Sequence, residues 1–99
     1  MEDLRMRKAL FNLGQTVATR GVWNQMEKSN EFCRELGKAI KRHVSGDWGN
    51  LCEDDKQMND EGLKGNGRLF SAYDTSQGKI WIITEWNRSV TTILFPSEY

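Results

Sequence analysis

The chain has 99 residues, with 14 basic and 14 acidic side chains, one histidine and two cysteines. This balanced charge argues against a protein that tracks a phosphate backbone, because such proteins carry a basic excess, and we expect no direct sequence-specific binding of nucleic acid. Cys33 and Cys52 have no CxxC spacing, so they indicate neither a disulfide scaffold nor a zinc site and are typical of reduced thiols in a cytoplasm.

The first part of the chain is the least regular. Residues 1–14 are predicted to be a variable leader, either a short amphipathic helix or a loosely held segment, ahead of a single α+β domain at residues 15–99. Residues 15–22 have the β-branched content of a short strand, which we expect at the edge of a sheet. No apolar run approaches ~18 residues and the leader has no long hydrophobic core, so we expect neither a membrane span nor a signal peptide. The predicted location is the cytoplasm.

Two helices follow the first predicted strand. Apolar side chains recur every three or four residues from Phe32 to Val44, which predicts an amphipathic helix with one face on the sheet. Ser29 suits its N-cap and Gly46 the left-handed position after its last turn. Residues 51–64 are predicted to form a second helix that Asn50 caps, with an acidic first turn that favours a helix N-terminus.

The strongest pattern lies in the last third of the chain. Residues 79–86 are almost all β-branched or aromatic and both faces are apolar, which predicts a strand covered on two sides. Residues 68–74 and 90–95 read as its neighbours across two short turns. The chain is therefore predicted to be an α+β protein, with two helices packed on one face of a small antiparallel sheet. The predicted order is strand, helix, helix, strand, strand, strand.

His43 is the only side chain that titrates near neutral pH without perturbation. Beside carboxylates such as Asp47 and Asp55 it suits either a general base or half of a metal site. A histidine on an apolar helix face is more often a buried structural residue, and no nucleophile-base-orienter spacing is visible, so we predict no catalytic residue, metal or cofactor. The predicted structural polar network consists of His43, Asp47, Asp55, Asn59 and Glu85.

Tryptophans and an acidic run are the candidate partner-binding features. Tryptophan is enriched among binding hot spots, and an acidic surface suits a basic partner, including a protein that normally holds nucleic acid. The alternative is that the tryptophans close the edges of a small core and the acidic run is a solvated helix face. The predicted partner-binding residues are Trp48, Trp86, Arg88, Glu53, Asp54, Asp60 and Glu61.

Two long strings carry a family resemblance. HxSGDWG at residues 43–49 and WIITExxRSxTTxLxPxEY at residues 81–99, with TVATRGV at 16–22, EDDKQMNDEGLK at 53–64 and GRLFSAYD at 67–74, resemble a family of small plasmid-related proteins. These proteins are encoded on bacterial plasmids, phages and integrative elements. The family pattern has a small residue and an aspartate where this chain has Trp86 and Asn87. The resemblance carries over no catalytic residue.

The resemblance implies a setting in which anti-CRISPR inhibitors occur. We therefore expect a non-enzymatic binding protein that inhibits a host defence complex, with a host protein or a ribonucleoprotein such as a CRISPR effector as its partner. One alternative is a small ribonuclease toxin of the RelE type that uses His43, Tyr73 and Arg88, which the neutral charge disfavours. The other is a structural or regulatory module without catalysis. Edge pairing of the sheet would allow a homodimer.

Overall fold

The computed structural model describes residues 9–99 and shows an α+β fold in the predicted order, with one helix more than predicted. Residues 1–8 of the predicted leader lie outside the described residues, and residues 9–14 form neither helix nor strand. The elements are β1 (Gln15–Ala18), α1 (Arg20–Lys28), α2 (Asn30–Val44), α3 (Glu53–Lys64), β2 (Leu69–Thr75), β3 (Gly78–Thr84), β4 (Val90–Leu94) and a 3-10 turn at Pro96–Glu98.

The sheet has four strands in the order β1-β4-β3-β2. The predicted three-stranded antiparallel meander is present, with β3 between β2 and β4. β1 joins the meander at the free edge of β4, but the pair is parallel and runs from Gln15 opposite Val90 to Ala18 opposite Ile93. The sheet is therefore mixed rather than purely antiparallel. The long connection that a parallel pair requires consists here of the three helices together with β2 and β3.

Helix α1 replaces the second half of the predicted first strand. Its first turn is stabilised by Glu98 at the other end of the chain, whose carboxylate accepts from the Thr19 hydroxyl at 2.6 Å and from the Gly21 N–H at 2.9 Å. The bond from Gly21 satisfies one of the backbone N–H donors that a helix N-terminus leaves free. Because the carboxylate comes from 77 residues away, no neighbouring residue predicts this helix start.

Helix α2 provides most of the helical side of the core. The Ser29 hydroxyl accepts from the Phe32 N–H at 3.1 Å, as predicted for the N-cap, and Gly46 has a φ of 83° after the last turn. Apolar side chains of α1 and α2 pack on the face of the sheet that carries Ile80 and Ile82. Each such fully buried aliphatic or aromatic side chain contributes about 1.5–3 kcal/mol.

Helix α3 packs against β2. It begins at Glu53, and Asn50 does not cap it. The Asn50 side chain instead donates to Asp74 at 2.8 Å, and its backbone N–H donates to the Ala72 carbonyl at 2.7 Å. The predicted second helix is therefore confirmed, but it begins two residues later than predicted. Asn50, the predicted cap, binds β2 instead.

Candidate functional site

The side chain of His43 lies at the centre of a buried chain of hydrogen bonds that joins α2 to three strands. Its Nδ1 is 2.5 Å from the Ser71 hydroxyl and its Nε2 is 2.9 Å from the Thr84 hydroxyl. The Thr84 hydroxyl is 2.7 Å from that of Thr91, which donates to the Leu13 carbonyl at 2.6 Å. We call these five residues the histidine chain.

The direction of each proton in the histidine chain follows from its last member. Thr91 gives its only hydroxyl proton to the Leu13 carbonyl, so Thr84 must donate to Thr91. The Thr84 oxygen then accepts from His43, which places the imidazole proton on Nε2 and leaves Nδ1 to accept from Ser71. A neutral imidazole has one donor and one acceptor, and this arrangement uses both.

Burial sets the charge of this histidine. His43 has no solvent-exposed surface, and burial in the core lowers its pKa to about 4. Burial favours the neutral form because a charged imidazole would lose its hydration. The ring also makes edge contacts with two aromatic side chains that stack on each other, with centroids 5.3 Å from Phe11 and 5.7 Å from Trp48. The imidazole is therefore not accessible to a substrate.

Asp47 stabilises the turn that follows α2. Its carboxylate accepts from the Arg42 guanidinium at 2.7 Å and from the Gly49 N–H at 3.3 Å, while its carbonyl accepts from the Tyr73 hydroxyl. The turn continues as a backbone bridge to β2, in which Gly49 lies opposite Ala72. Gly49 has a φ of 75°, and a Cβ there would lie 2.0 Å from the Ala72 carbonyl oxygen, so this contact requires glycine.

Asn59 binds the outer edge of β2 as a neighbouring strand would. Its amide nitrogen donates to the Phe70 carbonyl at 2.6 Å, and its amide oxygen accepts from the Phe70 N–H at 3.0 Å. Asp55, one turn earlier on α3, is exposed, and within residues 9–99 its carboxylate has no hydrogen bond or ion pair. Glu85 is half-buried and lies 3.4 Å from the Arg68 guanidinium. The five predicted network residues therefore do not form one network.

The predicted partner-binding residues fall into two groups. Trp48 is buried, with 4% of its surface exposed, and its indole donates to Asp60 at 3.0 Å, so the structure does not place it on the surface. The guanidinium of Arg88 donates to four backbone carbonyls and attaches the end of α3 to the β3–β4 turn. The predicted residues on the exposed surface are Trp86, Glu53, Asp54, Asp60 and Glu61.

An aromatic cluster lies on the face of the sheet that the helices do not cover. Trp81 makes edge contacts with Phe70 and Tyr99, with ring centroids 5.0 and 5.6 Å away. Arg68 donates to the Tyr99 hydroxyl at 2.9 Å, and Ile83 completes the lining of a groove of about 330 Å³. We call these five residues the aromatic cluster. The alternating pattern of β3 puts Trp81 and Ile83 on one face and predicted that this face is covered. Tyr99 lies against Trp81 in place of a helix, so Ile83 is buried while Tyr99 itself is 71% exposed.

The residues that the ribonuclease alternative requires do not share a cleft. His43 is enclosed, Tyr73 is 2% exposed with its hydroxyl on the Asp47 carbonyl, and Arg88 binds backbone carbonyls. Within residues 9–99 there is also no group of three or more histidine, cysteine, aspartate or glutamate side chains that could hold a metal ion.

Comparison of the chain with family models, curated proteins and solved structures gives no match. Among the helices of residues 9–99, none is both long enough and apolar enough to cross a membrane.

Proposed function

We propose that the protein is a non-enzymatic binding protein of a bacterial mobile element that inhibits a host defence complex. In this proposal it occludes a basic surface of that complex, such as the nucleic-acid-binding surface of a CRISPR effector. The observation that carries the proposal is the open aromatic cluster beside an acidic helix. The choice of a defence complex as the target comes from the family resemblance.

Helix α3 is bonded to the strand that carries part of the aromatic cluster. Phe70 belongs to the aromatic cluster, and its backbone is bonded to Asn59 of α3. Helix α3 carries five carboxylates against two lysines, and Met58 is 69% exposed on it. Aromatic anchors supply desolvated contact area, while surrounding charges steer and select a partner of the opposite sign. This combination fits a basic protein surface.

The positions of the polar side chains support binding rather than catalysis. Enzymes place acids, bases and nucleophiles in a cleft where a substrate can reach them. Here the histidine and the tyrosine that would serve an RNA-cleaving reaction are buried and hydrogen-bonded within the fold.

The proposal is tested with the purified protein and candidate effector complexes. We expect a stoichiometric complex that Tyr99→Ala weakens and that the double variant Asp54→Lys/Glu61→Lys weakens further. Glu31→Lys on α2 is the matched control, since it reverses an exposed carboxylate away from this surface. Equal binding of the control and the double variant would show that α3 is not the contact surface, and failure of every effector to bind would remove the proposed target.

Expression in bacteria separates binding from the ribonuclease alternative. We expect normal growth of cells that express the protein. Because His43 is buried in the core, the variant must first be shown by circular dichroism to fold. Growth arrest that a folded His43→Ala variant relieves would overturn the non-enzymatic proposal.

A further inference from the structure

The backbone groups at the two edges of the sheet differ in their hydrogen bonding. Along β2, Asn59 binds both backbone groups of Phe70, while the Trp48 carbonyl and the Asn50 N–H bind those of Ala72. This edge has no free row of donors and acceptors between these residues. Unpaired edges template the addition of another strand, so covering them prevents unwanted pairing.

Within residues 9–99, no backbone group covers the edge formed by β1. Gln15 and Thr19 donate their backbone N–H groups toward β4, at 3.0 Å each. Because backbone groups alternate in direction along a strand, those of Thr16 and Ala18 point away from the sheet. Among residues 9–99 they have no backbone partner. This edge therefore offers two N–H groups and two carbonyls at the spacing that an extended chain requires.

An apolar groove of about 310 Å³ runs beside this edge, between β1 and helices α1 and α2. Its lining includes Trp23, Met26, Gly37 and Ile40. The Trp23 side chain is 54% exposed. A strand added next to β1 would lie about 4.8 Å further out, and every second side chain would point toward the helices and into this groove.

Independently of the sheet edge, Gly37 of α2 leaves space in the groove unfilled. It lies in the middle of α2 and is exposed, and a Cβ built on it meets no atom within 4 Å. Glycine weakens a helix interior relative to alanine, and no contact within residues 9–99 requires its missing side chain. The absent side chain leaves the floor of the groove open for an incoming group.

Basic side chains flank the groove. Arg34, Lys38 and Lys41 are exposed and each follows a groove-lining residue of α2 by one position, about 100° further round the helix and away from the core. Arg20 is exposed at the start of α1, and Glu27 is the acidic residue on the same helix. A second copy of this chain would bring the same basic flank to the edge, so charge complementarity favours an acidic partner over self-association.

We propose that the β1 edge and this groove bind an extended segment of a partner protein, which adds as a fifth strand. The segment would alternate apolar side chains, which enter the groove over Gly37 and Ile40, with acidic residues that face the basic flank. Strand addition of this kind takes affinity from backbone hydrogen bonds and specificity from the pockets for alternate side chains. The proposal concerns the opposite edge of the sheet from α3 and does not depend on the proposed function.

The probe is a phage-displayed library of random ten-residue peptides, selected on the purified full chain. We expect the selected peptides to alternate apolar and acidic residues and, as synthetic peptides, to protect the Thr16 and Ala18 amides from hydrogen exchange. Gly37→Gln should weaken them at least tenfold by filling the groove. Gly65→Gln is the matched control, because a Cβ at that glycine also meets no atom within 4 Å, and should leave binding unchanged.

Thr16→Pro provides a second test, since it removes an outward N–H that the fold does not use and should also abolish peptide binding. Selected peptides without the alternating pattern, or binding that neither Gly37→Gln nor Thr16→Pro reduces, would overturn the proposal. Sedimentation of the wild-type chain as a dimer that Thr16→Pro converts to a monomer would assign the edge to a second copy and overturn it as well.

Discussion

At the residue scale, the buried His43 makes the stability of the protein depend on pH. Its pKa is about 4 in the folded state, against 6.5 for an ordinary histidine, so the unfolded chain takes up this proton first. The stabilisation is fully present above pH 6.5 and is lost as the pH falls toward 4. We expect the free energy of unfolding to be about 2 kcal/mol lower at pH 5 than at pH 7 from this group alone. Urea denaturation followed by tryptophan fluorescence measures the difference.

The control for this pH dependence is His43→Gln, which keeps a polar side chain but cannot titrate. The variant should be less stable than the wild type at pH 7, because a buried hydrogen-bonding partner is lost. Its stability should change much less between pH 7 and pH 5. A wild-type pH dependence that persists unchanged in His43→Gln would show that other groups cause it.

The sequence predicted a buried position for this histidine but not its hydrogen-bond partners. A lone histidine on the apolar side of a helix pattern is typical of a buried residue, and the structure places it in the core. Its partners Ser71 and Thr84, and Thr91 beyond them, lie on three different strands. They meet only because the register of the sheet aligns them, and register depends on long-range pairing that a local pattern does not contain.

At the element scale, Asn59 attaches α3 to β2. Asn59→Ala should lower the free energy of unfolding by about 1–3 kcal/mol, because both backbone groups of Phe70 lose a partner at a half-buried position. Asp55→Ala, at an exposed position one turn earlier on the same helix, should change it by no more than about 0.5 kcal/mol. Chemical denaturation of the two variants side by side measures the contrast. Equal losses would place Asp55 in a structural contact in solution.

Gly37 lowers the stability of helix α2, and no contact within residues 9–99 requires a glycine there. Gly37→Ala should raise the free energy of unfolding by about 0.5–1 kcal/mol, because alanine restricts the unfolded chain and its Cβ meets no neighbour. Gly49→Ala is the contrasting variant and should destabilise the fold, since its Cβ would overlap the Ala72 carbonyl. Thermal unfolding should show a higher melting temperature for Gly37→Ala and a lower one for Gly49→Ala. A destabilised Gly37→Ala would mean that an unseen contact needs the glycine.

The helix boundaries show which features a local sequence pattern predicts and which it does not. The periodicity of α2 and its serine cap are local, and the sequence predicted both. Helix α1 depends on Glu98, and the start of α3 depends on Asn50 binding β2. At α1 a residue from a distant part of the chain supplies the acceptor, and at α3 a contact with β2 removes the local cap, so in both cases tertiary contacts override the local sequence pattern.

At the scale of the whole molecule, a net charge of zero conceals an uneven distribution. Helix α3 carries an excess of carboxylates beside one edge of the sheet, whereas α2 carries four lysines and arginines against two glutamates. The balanced composition argues against a general phosphate-binding surface, but it does not describe either local surface. The sequence pattern also did not predict the aromatic cluster, because a strand with two apolar faces does not show which face the helices leave uncovered.

The unequal edges of the sheet predict an unequal pattern of amide protection. Phe70 and Ala72 lie on the outer side of β2, yet both N–H groups are bonded, to Asn59 and to the Trp48 carbonyl. They should therefore exchange slowly, whereas the outward N–H groups of Thr16 and Ala18 should exchange close to the rate of an unfolded chain.

Hydrogen exchange followed by two-dimensional NMR distinguishes these amides one by one, and Val17 serves as the internal control. Its neighbours Gln15 and Thr19 donate toward β4, and the alternation of backbone groups points its own N–H the same way. Fast exchange at Val17 would mean that β1 itself opens, and the test would then report strand fraying. Slow exchange at Thr16 and Ala18 that disappears on dilution would show that two copies pair through β1. Fast exchange at these two amides beside a protected Val17, at every protein concentration, is the pattern expected of an ordered edge strand that lacks a partner.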